Sequence, residues 1–358
     1  MAKELMEDKM SLYSSKIYIK DLEKSIACSV NIEKLKNKSV FITGATGTIG
    51  SYLVDMLLHY NQMSDAGITI YAAGRSRQRL EKRFYDTESK YLVYVEYDIT
   101  VPSDLDFTVD FVIHAAGNAY PAAFNVDPVG TIIGNVDGTY RLLEFARKCG
   151  ATKFLYISSG EIYGQGNLSL DSFEETYGGY IDPTSPRSCY PNSKRTAETL
   201  CSSYYKQYGL ETVIVRPCHT YGPSITENDN RANVQFMNNV LKGEDIVMKS
   251  AGTQERSYCY IADCASAIIS VLLNGQSGEA YNSANPCARI SIAGFAKIVA
   301  DTAGKKVIFS NPTEKELADR TPIMKQVLDT KKLESLGWHG EYSVQEGISH
   351  TLAILQGK

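Results

Sequence analysis

Short apolar runs recur along the chain, and each ends in a few small or polar residues. Ser39-Val40-Phe41-Ile42-Thr43 stops at Gly44, and Ile68 to Ala73 stops at Gly74-Arg75. Residues 91–97 run into Asp98-Ile99, and 110–114 into Ala115-Ala116-Gly117. Residues 153–157 run into Ser158-Ser159-Gly160-Glu161, and 212–216 close the series. Between them, Leu53, Met56, Leu57 and Tyr60 recur at the spacing of one helical face, and helical patterns cover 138–149 and 191–208. Strands alternating with helices predict an α/β fold with a doubly wound, Rossmann-type parallel sheet. In such sheets ligands sit beyond the carboxyl ends of the strands, where these polar tails fall. After Tyr221-Gly222-Pro223 the alternation loosens, which predicts a smaller C-terminal α/β lobe closing over the site. The expected organisation is an N-terminal extension at 1–37, a dinucleotide-binding domain at 38–220 and a mainly substrate-binding lobe at 221–358, with an interleaved boundary. The extension has a weak helical pattern from Ile17 to Ile32 and either packs on the body or stays mobile.

Composition removes several alternatives. The 358 residues include 37 basic and 41 acidic side chains, a formal charge of -4. No basic field is available for nucleic acid or an anionic membrane, so any phosphate must be recognised locally. No apolar run reaches the ~18–20 residues that span a bilayer, and the mixed-charge start Met-Ala-Lys-Glu-Leu-Met-Glu-Asp-Lys does not read as a secretory signal. Eight cysteines lack paired spacing. Together these predict a cytoplasmic protein with reduced thiols and no metal site.

The turn Gly44-Ala45-Thr46-Gly47-Thr48-Ile49-Gly50 lies between a strand and a helix. Glycines at 44, 47 and 50 allow a tight turn, close approach to a pyrophosphate and helix–strand packing, while the helix N-terminus offers N–H groups and partial positive charge. The predicted cofactor is therefore NAD or NADP. The second strand ends in Gly74-Arg75 rather than in the carboxylate that grips the NAD ribose, which tilts the balance toward NADP. Asp98-Ile99 would flank the adenine.

In Tyr190-Pro191-Asn192-Ser193-Lys194, the spacing places an ammonium one helical turn from a phenol. A cation there, together with the positive nicotinamide ring, favours phenolate and lowers the tyrosine pKa from ~10 toward the working range. Such a phenolate can take a hydroxyl proton as the carbon bearing it is oxidised.

With these residues the chain resembles the extended short-chain dehydrogenases/reductases of the nucleotide-sugar epimerase, dehydratase and decarboxylase group, over about 38–350. The resemblance also rests on His114-Ala115-Ala116, Asn135 to Thr139, Ser158 to Gly164, Arg216 to Pro223, Arg256 to Asp263 and Leu336-Gly337-Trp338. Within the group, Pro186 to Tyr190, Lys194 to Thr199, Asn228 to Arg231 and Gly252 to Arg256 resemble the UDP-glucuronate decarboxylases. The resemblance implies a tightly bound NAD(P) touching Ala115, Ala116, Gly117, Asn135, Tyr190, Lys194 and Pro217. It implies a nucleotide-diphosphate sugar oxidised at its fourth carbon, with Ser159 sharing the hydroxyl proton with Tyr190 and Glu161 acting near the fifth carbon. Arg320 would meet the sugar carboxylate, and Arg231 and Arg256 the diphosphate. Tyr120 and Phe124 would line the sugar pocket or pack their loop. Relatives form a homodimer through helices equivalent to 138–149 and 191–208. Apolar faces there, including Leu142, Leu143, Phe145, Ala197, Leu200 and Tyr204, permit this and would equally serve as core.

Two departures stand out: Gly160 replaces the Ser of decarboxylases and the Asp of dehydratases, and His219 replaces an asparagine. The expected function is a UDP-glucuronate decarboxylase-like reaction. The alternatives are a 4-epimerase, a 4,6-dehydratase or reductase, and a cofactor-binding module without turnover.

Overall fold

The computed structural model describes residues 11–358 except 88, 118, 120, 227–228 and 314–322. Tyr120 and Arg320 therefore lie outside the described residues. The strands are β1 (Ser39–Thr43), β2 (Thr69–Gly74), β3 (Leu92–Glu96), β4 (Phe111–His114), β5 (Lys153–Ile157), β6 (Thr212–Pro217), β7 (His219–Tyr221), β8 (Ile246–Met248), β9 (Glu255–Tyr260), β10 (Ala280–Ser283), β11 (Arg289–Ser291), β12 (Val307–Phe309) and β13 (Lys325–Gln326). The helices that concern the site are α1 (Lys16–Cys28), α2 (Thr48–Ser64), α3 (Arg77–Arg83), α4 (Pro121–Val126), α5 (Pro128–Cys149), α6 (Cys189–Tyr208), α7 (Ala232–Leu241), α8 (Ile261–Asn274) and α9 (Ile292–Thr302).

Seven parallel strands form one sheet in the order β10-β6-β5-β4-β1-β2-β3. Strand order reverses between β1 and β4, which opens a crevice beyond their carboxyl ends. β4 and β6 are buried along their whole length, as expected for parallel strands covered on both faces. Alternate residues of β1 show the two layers. Val40 and Ile42 join the core built with α1, α2 and α8, whereas Phe41 joins the one built with α5 and α6. A second sheet, β11-β9-β13 with β7 beside β9, carries the C-terminal residues of the site.

Two helix starts differ from the sequence reading. α5 begins at Pro128 rather than Gly138. Asp127 caps it by accepting the Gly130 N–H at 2.8 Å, and Pro128 fits the first turn. Glycines 130, 134 and 138 concealed this stretch by lowering helix propensity. Gly138 is required by packing: a Cβ there would lie 2.9 Å from both Cβ and the carbonyl oxygen of Ile99. α6 begins at Cys189, which puts Tyr190 inside its first turn.

The described part of the N-terminal segment packs on the body. Tyr18 and Leu22 of α1 are fully buried. Asp55 of α2 accepts the hydroxyls of Tyr13 and Tyr18 and pairs with Arg83 of α3. Buried Asp21 accepts hydrogen bonds from Tyr260 (2.6 Å) and Tyr342 (2.8 Å) and meets His350 Nδ1 at 2.9 Å. Leu142, Leu143, Ala197 and Tyr204 belong to the intrachain core, with Phe145 and Leu200 partly buried against it, so they form no free apolar face. Among the described residues, no helix is long and apolar enough to cross a membrane.

Because Leu22 is buried at the junction of α1 with α2 and α8, Leu22→Ala is expected to lower the unfolding free energy by about 2–5 kcal/mol. Urea denaturation reads this, and an unchanged midpoint would show that α1 contributes nothing to the core.

Candidate active site

Beyond β1, Gly44 takes φ +69°. A Cβ there would lie 2.8 Å from the carbonyl oxygen of Ala115, and one on Gly50 would lie 2.3 Å from the Gly44 carbonyl oxygen. Only glycine fits at these points. Gly47 caps α2 without a side-chain acceptor, so the first N–H groups of the helix, at Thr48 and Ile49, face the turn uncapped. Thr43 Oγ1 lies 2.9 Å from His114 Nδ1 and accepts the Ala116 N–H at 3.2 Å, tying the ends of β1 and β4 together. Burial pushes the His114 imidazole down to about 3, and the Lys194 charge adds to this, so the ring is neutral.

At the end of β2, Gly74 is buried beside Thr46, and Arg75 is exposed. Arg77 is held by Glu81 at 2.9 Å, and its N–H meets Glu96. One oxygen of Asp98 accepts both the N–H (2.8 Å) and the hydroxyl (2.7 Å) of Thr100, which leaves its other oxygen for a ligand. Partial burial raises the Asp98 pKa, but these bonds and the Arg75 charge outweigh it and hold the carboxyl low. Ile99 is fixed against α5, its carbonyl accepting from Arg141 at 3.0 Å.

Tyr190 is buried and stacks on Phe124, with centroids 5.2 Å apart and planes at 13°, and the Arg187 guanidinium lies 4.5 Å from the centre of the Phe124 ring. Phe124 therefore packs against the phenol rather than merely filling its loop. Lys194 Nζ donates to the Ile157 carbonyl at 2.8 Å, sits 4.7 Å from the Tyr156 ring centre and 5.8 Å from that of Tyr190. Asn135 Nδ2 donates to Ser193 Oγ at 2.9 Å. A Cβ on Gly117 would lie 3.2 Å from Asn135 Oδ1 and 3.6 Å from Lys194 Nζ, which places all three together. Burial depresses Lys194 to about 8 against the charges of Glu198 and Cys201. The Lys194 charge is not among the largest influences on the Tyr190 phenol in the free chain. Burial, then the Glu161 charge, push Tyr190 up, and the opposing contributions come from Ser159, Arg231 and Arg187. The ammonium is turned toward the Ile157 carbonyl instead.

Ser159 caps the short turn Gly160–Tyr163, accepting the Glu161 N–H at 3.1 Å. That turn aims the Glu161 carboxylate at Arg187, 3.3 Å away. Arg231 is clamped to Asp229, with Nε 3.0 Å from both oxygens, and reaches the Thr220 carbonyl. Arg256 is 2% exposed, and its guanidinium donates to the carbonyls of Glu255 (2.9 Å) and Ile323 (2.6 Å). It has no carboxylate partner among the described residues. Burial lowers the Arg256 pKa, while Tyr258 and the Glu161 charge oppose this. Beside it His219 packs on Tyr258, and its Nδ1 makes no hydrogen bond among the described residues. Burial pushes His219 down to about 3, with the Arg256 and Arg231 charges adding, so this imidazole is neutral. Pro217 closes β6 next to Gly160. Arg187 was absent from the residues singled out by sequence, although it sits in the Pro186 to Tyr190 run. Its pairing with Glu161, 26 positions away, left no local signal.

Residues 40–284 match the NAD dependent epimerase/dehydratase family. The chain belongs to this family. It is 31% identical to UDP-glucuronic acid decarboxylase 6 of Arabidopsis thaliana over 87% of each chain. It is 30% identical to UDP-glucuronic acid decarboxylase 1 of Xenopus tropicalis, over 88% of this chain and 71% of that one. Among solved structures, the UDP-glucose 4-epimerase of Thermus thermophilus in complex with NAD superposes with a TM-score of 0.72 at 25% identity, covering 89% of this chain and 99% of that one. The dTDP-glucose 4,6-dehydratase of Streptomyces venezuelae, solved with NAD, gives 0.73 at 23% identity, covering 89% and 97%. The chain is thus an enzyme of the NAD-dependent epimerase/dehydratase family with the Rossmann fold read from its sequence.

The buried neutral His219 carries a pH signature. Its folded pKa lies below the unfolded ~6.5, so the unfolded chain binds more protons at acid pH, and stability falls as pH drops from about 6.5 toward 3. His219→Asn is expected to remove up to ~1.4 kcal/mol per pH unit from that slope. Urea unfolding at several acid pH values reads it, and identical slopes would show a charged or exposed ring.

Proposed function

We propose that the chain binds NAD along the carboxyl ends of β1, β2, β4 and β5 and oxidises a nucleoside-diphosphate sugar at its fourth carbon. The substrate we favour is UDP-glucuronate, with loss of its carboxylate as carbon dioxide. The observation that carries the oxidation is the buried Tyr190, with Ser159 and Glu161 acting on its phenol and Lys194 one helical turn away. Decarboxylation is supported by Glu161 and by the curated relatives, which are decarboxylases.

The residues present fit the dinucleotide, because glycine at 44 and 50 lets the turn close against neighbouring backbone and leaves the first N–H groups of α2 without a side-chain cap. Gly44, Thr46, Gly47, Thr48, Ile49 and Gly50 would hold the pyrophosphate; Gly74, Arg75, Asp98 and Ile99 the adenosine; and Ala115, Ala116, Gly117, Asn135 and Pro217 the nicotinamide side. When bound, the nicotinamide supplies the two-electron acceptor. NAD is favoured over the NADP suggested by Arg75, since the family and the solved relatives are NAD-dependent or NAD-bound. Nucleotide released by denaturation and identified by mass decides this.

Tyr190 takes the hydroxyl proton through or beside Ser159. Burial and Glu161 keep its phenol protonated in the free chain, so ionisation requires further positive charge in the site, and a charged Lys194 contributes part of it. Oxidation at the fourth carbon makes a β-keto acid, whose carbon dioxide leaves because the electron pair spreads into the ketone. Glu161, steadied by Arg187, is placed to return a proton at the fifth carbon. Return of the hydride to the fourth carbon, with the Tyr190 proton to its oxygen, would then restore the hydroxyl and give a UDP-pentose. Arg231 and Arg256 would bind the diphosphate: among the described residues Arg256 is a buried cation balanced by carbonyls, and an anion would complete it. Residues 38–220 would carry mainly the cofactor and 221–358 mainly the sugar nucleotide, with β10 crossing back into the large sheet. A homodimer would use the exposed Ile132, Ile133 and Tyr140 of α5 with Tyr205 and Tyr208 of α6.

A 4-epimerase is the second reading. Gly160 offers no side chain to hold a proton, and an epimerase needs only that the keto-sugar turn over in the site. The same gap disfavours dehydration, which needs an acid for the departing hydroxyl.

Incubation with UDP-glucuronate is expected to yield a UDP-pentose lighter by the mass of carbon dioxide. Tyr190→Phe should lower kcat by ~10²-fold or more while retaining nucleotide. An isomer of unchanged mass would favour epimerisation. A Tyr190→Phe enzyme as fast as the parent would remove the tyrosine from the chemistry.

A further inference from the structure

Lys194 is buried and its amine donates to a backbone carbonyl, so the charge that balances it lies elsewhere. The titratable groups that face it are His114 of β4, Tyr156 of β5, and Tyr190, Glu198 and Cys201 of α6. Burial keeps the His114 ring, the two phenols and the Cys201 thiol neutral. Of this set, Glu198 supplies the negative charge, from one helical turn further along α6. Glu198 is itself buried, and Arg216 of β6 takes both its oxygens, at 3.0 Å from Nε and 2.7 Å from Nη2.

The same guanidinium reaches forward to the turn after β5. Its Nη1 donates to the Tyr163 hydroxyl at 2.9 Å and to the Glu175 carbonyl at 2.7 Å. The Tyr163 hydroxyl in turn donates to Asn282 Oδ1 of β10 at 2.6 Å. Arg195, the neighbour of Lys194 on α6, donates to the Ile162 carbonyl at 2.8 Å. The turn Gly160–Tyr163, which carries Glu161, is thus fastened from behind to the helix that carries Tyr190 and Lys194. Burying an ion pair costs desolvation that its attraction barely offsets, so stability alone is a poor reason for this one. Its place between two acid–base groups supplies another.

We propose that Glu198 is a positioning residue: anchored by Arg216, it is the counter-charge of Lys194 and the link from that lysine to the Glu161 turn. This rests on the reading of Tyr190, Lys194 and Glu161 as the acid–base groups of the reaction. Glu198 acts through Lys194 rather than on the sugar. Without its carboxylate, Lys194 would be left buried with an unpaired Arg216 in the same region, and both changes favour the neutral amine.

NMR titration of cofactor-loaded protein, labelled at the lysine ε-carbons, follows Lys194 directly, its signal assigned by loss in Lys194→Arg. In Glu198→Gln the Lys194 midpoint should fall by ~1 pH unit or more. In Tyr163→Phe, which keeps both charges, the midpoint should stay in place while kcat falls because the turn is released. If Glu198→Gln fails to hold nucleotide, the double variant Glu198→Gln/Arg216→Gln removes both charges. Its midpoint should still lie below the parent's, since Glu198 and not Arg216 is among the largest influences on Lys194. The alkaline limb of kcat against pH should move with the midpoint, whereas a merely structural residue would lower kcat equally at every pH. An unmoved midpoint in Glu198→Gln, or one moved as far in Tyr163→Phe, would overturn the assignment. Absence of turnover in the parent would sink the proposed reaction, and the Lys194 midpoints would still decide the role of Glu198.

Discussion

The contact between the Gly44 backbone and the Ala115-Ala116 peptide is what the remainder of the site hangs on. It is tight enough to exclude any side chain, and it is backed by Thr43, whose hydroxyl joins His114 to the Ala116 N–H. That junction sets the exit of β1 against the exit of β4 at the point where strand order reverses. The uncapped start of α2 is aimed by the same turn. Gly117, the next residue out, then meets Asn135 and Lys194. A change at Gly44 would therefore move the glycine turn and the lysine's neighbourhood together.

The electrostatics follow from burial more than from pairing. Burial raises Tyr190 and lowers Lys194, and His114 and His219 are held neutral. Arg256 is buried against carbonyls, whereas Arg231 and Arg187 are each balanced by one carboxylate. Such a site is poised for a ligand that brings charge with it. In the proposed reaction a diphosphate would offset the arginines, and a cationic ring near the phenol would favour its ionised form. The free chain thus keeps its acid–base groups in the forms that burial prefers, and ligand charge is what releases them.

Much of the sheet was legible because strands in a doubly covered parallel sheet are continuous apolar runs, so 39–43 and 153–157 coincide with β1 and β5. α5 was read too short, because glycines that look like helix breakers are there to admit Ile99. In the site, the Tyr190–Lys194 spacing correctly predicted one helical turn, but spacing carries no information on where an ammonium points. The Ile157 carbonyl and the Tyr156 ring, both distant in sequence, decide that. Arg187 was missed for a related reason: it pairs with Glu161, 26 positions away, and leaves no local pattern. The N-terminal helix was undecided because its amphipathic signal is weak, with polar Asp21 and Ser25 on the face that is buried.

Those buried polar residues are why α1 matters beyond packing. Asp55 gathers Tyr13 and Tyr18 from the N-terminal segment together with Arg83 of α3, next to the strand that ends at Gly74. Asp21, on α1 itself, gathers Tyr260 at the end of β9 and Tyr342 and His350 from the C-terminal residues. β9 is the strand that carries Arg256. One helix therefore grips α2 on one side and β9 on the other, with a buried carboxylate at each contact. Removing a donor from either carboxyl group would leave a buried acceptor unsatisfied, which costs more than the bond itself contributes. The spacing between the two halves of the site is thus held partly from outside it, by a segment in which sequence alone showed no chemistry.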